Sequence, residues 1–175
     1  MENIFEFHLL NIHWFDDNIS TEDLCAHGKV FIKINNEIIS DNNSKDWTLT
    51  VTGLYLLRSL NNNYEPYMYN GFLLPCCGFD FWLDDNDKVF FTGCNDGIDM
   101  FIEHNEDKNV KIKTLNGVET IINKSEFANI IYKFISEIEA FYLNNEKRKP
   151  NKENEEGYKA FWDEWNYLKR EYLGK

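Results

Sequence analysis

The residues of this chain best suited to metal binding or nucleophilic chemistry are its cysteines and histidines. Cys76 and Cys77 are adjacent, and Cys94 lies further along the chain. Three thiolates with His27 or His104 have the residue types of a zinc site. Adjacent cysteines rarely ligate one tetrahedral ion, however, and no Cys-x-x-Cys motif is present. The spacing therefore favours buried, unreactive thiols, and no metal or cofactor is predicted.

A second combination, Cys94 with His104 and Asp99, has the residue types of a thiol hydrolase. Asp99 and His104 fall on opposite faces of one predicted strand, because their separation is odd. The sequence also contains no glycine-rich phosphate loop and no Gly-x-Ser-x-Gly motif. We therefore predict no catalytic site. Two alternative functions stay open: an enzyme or metal-binding protein with a site around Cys76, Cys77 and Cys94, or a housekeeping scaffold.

Acidic residues are concentrated at two predicted turns. If one antiparallel meander contains both turns, they lie at the same end of its sheet, because alternate turns of a meander share an end. The five acids are Asp84, Asp85, Asp87, Glu106 and Asp107. Their convergence would form a docking surface for a basic protein. Lys88 and Lys108 dilute the charge, so a solvated, merely solubilising surface is the alternative.

The chain as a whole is acidic, with 175 residues and a formal net charge of -12. This charge disfavours nucleic acid and anionic membrane surfaces as partners. A hydrophobic content of 43% and an aromatic content of 16% supply the core of one folded domain. Neither a signal peptide nor a membrane-spanning segment is predicted, so we expect a cytoplasmic protein with reduced thiols.

The elements that position these residues follow from hydrophobic periodicity. Residues 2–15 are apolar on both faces and predict one long strand that is covered on both sides. Residues 30–34 and 37–40 predict a hairpin around Asn35-Asn36. Residues 46–60 combine strand and helix signals, and the flanking Asp and Asn residues favour a helix.

Four turn signals between residues 78 and 123 predict one continuous antiparallel meander. Its strands are predicted at 79–83, 88–92, 98–104, 110–115 and 118–122. In the third strand, Met100 and Ile102 face the core, whereas Asp99 faces the other way. The register brings Lys111 close to Glu103, since opposite charges on neighbouring strands attract.

Two amphipathic helices are predicted to follow the meander. The first covers about 124–143 and begins with Asn123 and Glu126 in a capping arrangement. A polar linker over 147–152 separates it from the second helix.

The second helix carries an aromatic stripe that includes Phe161, Trp162 and Trp165. Its helical period favours core packing over a docking face. Together the elements predict a single α+β domain over 1–175, with an antiparallel β-meander sheet packed against a C-terminal helical segment of about 124–175.

Three segments of the chain carry a resemblance to known proteins: 93–100, 125–127 through 139–142, and 157–165, with a weaker similarity at 54–60 and 75–78. In these segments the chain resembles a family of small uncharacterised acidic bacterial proteins. The resemblance covers roughly the second half of the chain and assigns no residue a role. In size and acidity these proteins are similar to immunity proteins that neutralise polymorphic toxins. The resemblance implies that this protein is a protein-binding module and not an enzyme. As such a module it would inhibit a basic toxin, such as a nuclease, by occluding it.

Overall fold

The computed structural model describes residues 4–15, 23–77, 80–145 and 148–174, and these residues form an α+β fold, as predicted. The strands are β1 Phe5–Leu9, β2 His13–Trp14, β3 Ala26–Gly28, β4 Val30–Ile34, β5 Glu37–Ser40, β6 Trp47–Thr48, β7 Leu74–Pro75, β8 Phe81–Leu83, β9 Val89–Phe91, β10 Gly97–Ile98, β11 Met100–His104, β12 Asn109–Thr114 and β13 Glu119–Asn123. The helices are α1 Leu49–Arg58, α2 Lys124–Asn144 and α3 Glu155–Leu173. None of these helices has the length and hydropathy needed to cross a membrane.

The N-terminal strand predicted over 2–15 is wrong, because the chain bends after β1. β1 pairs with β4 of the predicted hairpin, whereas β2 joins a different sheet with β3 and β6. At the bend, the Asn11 side chain accepts a hydrogen bond from the Lys29 amide, and the Lys29 carbonyl accepts one from the Leu10 amide. A Cβ on Gly28 would lie 2.1 Å from the Asn11 carbonyl oxygen, so only glycine allows this approach. His8 is exposed, so both-sided coverage is also wrong.

Helix α1 lies at the centre of the molecule, and every residue from Leu49 to Leu57 is buried. This confirms the helix predicted within 46–60. It packs against α2, α3, β3 and β7, which explains why no side of the helix is reserved for polar residues facing solvent. Gly53 is in close contact with Trp165 of α3, since a Cβ there would lie 2.5 Å from the indole ring.

Arg58, at the end of α1, ties three elements together. Its guanidinium donates two hydrogen bonds to the Glu164 carboxylate of α3, at 2.7 and 2.8 Å, and one to the Val89 carbonyl of β9, at 2.8 Å. It also stacks 4.9 Å from the centre of the Tyr69 ring. Because the pair is largely buried and bidentate, it fixes orientation more strongly than a surface ion pair.

The single meander predicted over 78–123 is wrong, because its strands belong to three separate pairings. Only β11, β12 and β13 form a continuous meander, in which Lys111 and Glu103 form the expected ion pair. Among the described residues, strands β8 and β9 pair only with each other, and β10 pairs with β7.

Asp99 lies between β10 and β11. Its carboxylate is buried and accepts hydrogen bonds from the Tyr64 hydroxyl at 2.7 Å, the Tyr67 amide at 2.9 Å and the Leu73 amide at 3.2 Å. Although these bonds favour the ionised form, burial raises the pKa of Asp99. Through these hydrogen bonds the carboxylate anchors the loop over 64–73.

The two long helices cover the sheets as predicted. The Asn123 side chain caps α2 by accepting a hydrogen bond from the Ser125 amide. Phe161 and Trp165 of α3 are fully buried, which confirms that the aromatic stripe is mainly core. The predicted polar linker contains a buried cation, Arg148. Its guanidinium lies 4.4 Å from the centre of the Trp14 ring.

Helix α3 also fixes the β8–β9 hairpin at close range. The Asn154 side chain accepts a hydrogen bond of 2.7 Å from the Phe81 amide and donates one of 3.2 Å to Asp80. A Cβ on Gly157 would lie 2.0 Å from the Phe81 carbonyl oxygen. Helix and strand backbones thus touch directly, and the position of the hairpin depends on this contact.

The Asp99→Asn variant tests the loop anchor. We expect it to lower the free energy of unfolding by about 1–3 kcal/mol, because the new amide cannot accept every hydrogen bond that the carboxylate accepts. Chemical denaturation measures the change. The exposed Asp163→Asn variant is the control, and equal effects of both substitutions would contradict the anchor role.

The Gly157→Ala variant tests the contact between α3 and β8. We expect a loss of about 1–3 kcal/mol in the free energy of unfolding, because backbone atoms must move apart to admit the methyl group. Gly71→Ala is a matched control, since its Cβ would meet only the Tyr55 hydroxyl at 4.0 Å. Thermal unfolding distinguishes them, and a neutral Gly157→Ala would show that the close approach is not required.

Candidate functional site

The candidate site lies at the base of the β8–β9 hairpin, where the chain leaves β7 and returns to β10. These two strands pair antiparallel, with Pro75 opposite Gly97. One residue further, the Cys76 amide donates a hydrogen bond of 3.1 Å to the Asp96 carbonyl. The pairing therefore places the residues that follow β7 across from those that precede β10.

This pairing brings together three cysteines whose spacing in the sequence did not favour a metal site. The Sγ atoms of Cys76, Cys77 and Cys94 all lie within 4.8 Å of one another, and those of Cys76 and Cys94 are 2.9 Å apart. Cys77 is exposed and the other two are half-buried. The prediction of buried thiols holds only for Cys25, which lies elsewhere in the core.

The three thiols differ in acidity because they share hydrogen bonds. Burial and the hydrogen bond to Cys94 raise the pKa of Cys76 to about 12. The hydrogen bond with Cys94 also raises the pKa of Cys77. Burial acts in the same direction on Cys94, but hydrogen bonds from its two neighbours outweigh it and lower the pKa of Cys94. The arrangement thus favours a thiolate at Cys94 that the other two thiols solvate.

An ion pair lies beside the thiols. The Lys45 ammonium contacts the Asp96 carboxylate, and the hydrogen bond with Asp96 raises the pKa of Lys45. Negative charge on Cys76 or Cys94 acts in the same direction, so the ammonium is close enough to stabilise a thiolate. Lys45 comes from the loop before β6, which the sequence did not connect with the cysteines.

A small cavity of about 40 Å³ adjoins Cys94 and is lined in part by Tyr55, Phe72 and Phe91. This volume is enough to hold ordered water. Of the three cysteines, Cys94 alone contributes to the lining of the cavity.

The histidines considered as possible partners of the cysteines have other contacts. The His27 Nε2 atom lies 3.2 Å from the Asp23 carboxylate, and the His104 Nε2 atom lies 2.7 Å from the Ser59 carbonyl. Since Asp99 anchors the 64–73 loop, the hydrolase combination of Cys94, His104 and Asp99 is not assembled. Neither histidine is part of the thiol group.

The predicted acidic docking residues are all exposed, but they occupy the turns of two different sheets. Asp84, Asp85 and Asp87 form the tip of the β8–β9 hairpin. Glu106 and Asp107 form the turn between β11 and β12. The argument that placed both turns at one end of a single meander is therefore wrong, and the strand order provides no reason for the five acids to converge.

The outer face of the hairpin carries a feature that the sequence reasoning missed. Trp82 is 39% exposed and lies opposite the half-buried Phe90 in the β8–β9 pair. The neighbouring residues Phe81 and Phe91 point inward, are buried and pack edge to face. The alternation of side chains along a strand could have revealed this, because an inward Phe81 requires an outward Trp82.

Alkylation at different pH values tests the proposed acidities. We expect iodoacetamide to modify Cys94 at a lower pH than Cys77, because a lowered pKa yields the reactive thiolate at lower pH. Cys25, whose pKa is raised well above its usual value by burial, should react only after unfolding. Peptide mass spectrometry locates the modification, and earlier modification of the more exposed Cys77 would contradict the assignment.

The hairpin thus combines three convergent thiols at its base with an exposed tryptophan and three carboxylates towards its tip. The thiols can ligate a soft cation, and the outer face offers an apolar centre with an acidic surround. No protein-family model, no curated protein and no solved structure matches this chain.

Proposed function

We propose that this protein is a binding module that docks a basic protein through the outer face of the β8–β9 hairpin. The exposed Trp82 carries the proposal. Tryptophan is among the residues that most often dominate the energy of a protein interface, and here it stands on a strand whose other face is buried.

Charge determines the kind of partner. Asp84, Asp85 and Asp87 lie beyond Trp82 at the tip, and Asp80 lies before it. The first turn of α3, with its acidic residues, lies against the start of β8. Lys88 is the basic residue nearest to these acids in the sequence. Its single positive charge does not balance them, so the hairpin is negatively charged. Such a surface attracts a basic protein and speeds its association.

The hairpin is a firm support for such a contact. Phe81 packs edge to face against Phe161 of α3, with the ring centres 5.4 Å apart. The Phe81 amide is hydrogen-bonded to Asn154, and its carbonyl lies directly against Gly157. Arg58 donates a hydrogen bond to the Val89 carbonyl. A partner therefore meets a surface already in place, which reduces the entropy lost on binding.

Occlusion of a toxin is the form of this function that the sequence resemblance implies. A nuclease that binds nucleic acid has a basic active-site cleft, and an acidic module with a partly exposed aromatic residue is complementary to it. Inhibition would then be stoichiometric and would need no catalytic group in this protein.

Affinity capture from lysate of the native host, followed by growth assays, tests the proposed function. We expect wild-type protein to retain a basic protein that Trp82→Ala retains at least about 30-fold more weakly, because truncation of an interface hot spot costs about 2 kcal/mol or more. Co-expression should protect cells against that protein if it is a toxin. Tyr167→Ala, on an exposed part of α3, is the matched control.

Removing charge separates attraction from anchoring. Replacing Asp84, Asp85 and Asp87 together with Asn should slow association and weaken its salt dependence, while dissociation changes less. If Trp82→Ala and the triple variant both bind the captured protein as wild type does, the hairpin is not the docking surface. If captured proteins bind equally to the Tyr167→Ala control and to both variants, the interaction is non-specific and the proposal fails.

A further inference from the structure

We propose that Cys76, Cys77 and Cys94 form a three-thiolate site for a soft d¹⁰ metal ion, Zn²⁺ or Cu⁺, at the base of the β8–β9 hairpin. The inference is independent of the proposed partner binding. It rests on the convergence of three sulfur atoms from two chain segments that the β7–β10 pair holds together.

The sulfur positions are close to those that a metal requires. A zinc–thiolate bond is about 2.3 Å long, which puts tetrahedral ligand sulfurs roughly 3.8 Å apart. All three Sγ atoms already lie within 4.8 Å of one another, and the 2.9 Å separation of Cys76 and Cys94 must open by about 1 Å. Side-chain rotation at exposed or half-buried positions supplies such movements without a change in the backbone.

The ligand set defines the kind of ion. Thiolates select soft cations such as Zn²⁺ and Cu⁺ over Mg²⁺ or Ca²⁺, which prefer oxygen ligands. Within the part of the chain that the structure describes, the group contains three ligands and no fourth Cys, His, Asp or Glu atom. Cu⁺ could bind with the three sulfurs alone, whereas Zn²⁺ would keep one coordination position for water or an external ligand.

The bound site would be negatively charged. Three thiolates and Zn²⁺ carry one net negative charge, and with Cu⁺ they carry two. The Lys45 ammonium interacts favourably with negative charge on Cys76 and Cys94, whereas the Asp96 carboxylate that it contacts acts on Cys94 in the opposite sense. The Asp96 carbonyl also accepts a hydrogen bond from the Cys76 amide. One residue therefore binds both the backbone of Cys76 and the Lys45 ammonium.

A metal at this point would close the segment between Cys76 and Cys94, which contains the whole β8–β9 hairpin. Closing a loop lowers the entropy of the unfolded chain, as a disulfide does. The site would therefore stabilise the fold, and the hairpin would be the element most affected.

Metal titration of the reduced full-length protein tests the site. We expect one Zn²⁺ per chain by calorimetry, and Cd²⁺ should give the ultraviolet charge-transfer absorption of three thiolates. In a separate anaerobic arm, Cu⁺ competes with a chromophoric Cu⁺ chelator. Tight binding of either Zn²⁺ or Cu⁺ supports the site, and the tighter ion identifies its preference. At 100 times the dissociation constant, the ion should raise the melting temperature by about 5–10 °C.

Single substitutions identify the ligands. Loss of a residue that only supports a metal ligand weakens binding about 10–100-fold. We expect a larger loss of affinity from each of the three ligand variants, Cys76→Ser, Cys77→Ser and Cys94→Ser. Cys25→Ala is the control and should leave the affinity unchanged. Because Cys77 is exposed, Cys77→Ser is expected to fold normally and keeps the test decisive if another variant does not.

Three results would overturn the proposal. One is binding that is no tighter in wild type than in Cys77→Ser. Another is a stoichiometry or Cd²⁺ absorption that does not depend on the three cysteines. The third is a Cys76–Cys94 disulfide that persists under reducing conditions and leaves Cys77 as the one thiol of the three able to bind the ion.

Discussion

The complete burial of α1 is the constraint on which the rest of the structure depends. A helix with no solvent-exposed face before Arg58 must be covered on every side, and α2, α3 and short strands supply that cover. Gly53 lets Trp165 approach closely, which sets the position of α3. Helix α3 in turn holds the β8–β9 hairpin through Asn154 and Gly157, and Arg58 reaches the same hairpin from the end of α1. The candidate site is thus positioned from the core outwards.

The division of labour along the hairpin follows from this support. Its inner residues, Phe81 and Phe91, join the aromatic core, so its outer residues are free to meet another molecule. Its base is closed by the short β7–β10 pair, and the cysteines lie on either side of that closure. Partner binding at the face and metal binding at the base are separate proposals, but both act on one structural unit.

The sequence predicted the elements better than their assembly. The hairpin at Asn35, the buried helix within 46–60, the Asn123 cap and the Lys111–Glu103 pair all follow from local patterns, and all are confirmed. The meander failed because turn spacing cannot show that β10 pairs with β7, or that the buried Asp99 carboxylate between β10 and β11 anchors a distant loop.

The cysteine group was named from the sequence but rejected as a metal site for a related reason, since its convergence depends on the β7–β10 pair, which local patterns do not predict. Hydrogen exchange along the hairpin tests this account most directly. On adding Zn²⁺ to the reduced protein, the amides of β8 and β9 should exchange more slowly, while those of β11 to β13 change little. Unchanged exchange in the hairpin, or equal slowing throughout the protein, would contradict the claim that the thiols close this hairpin at its base.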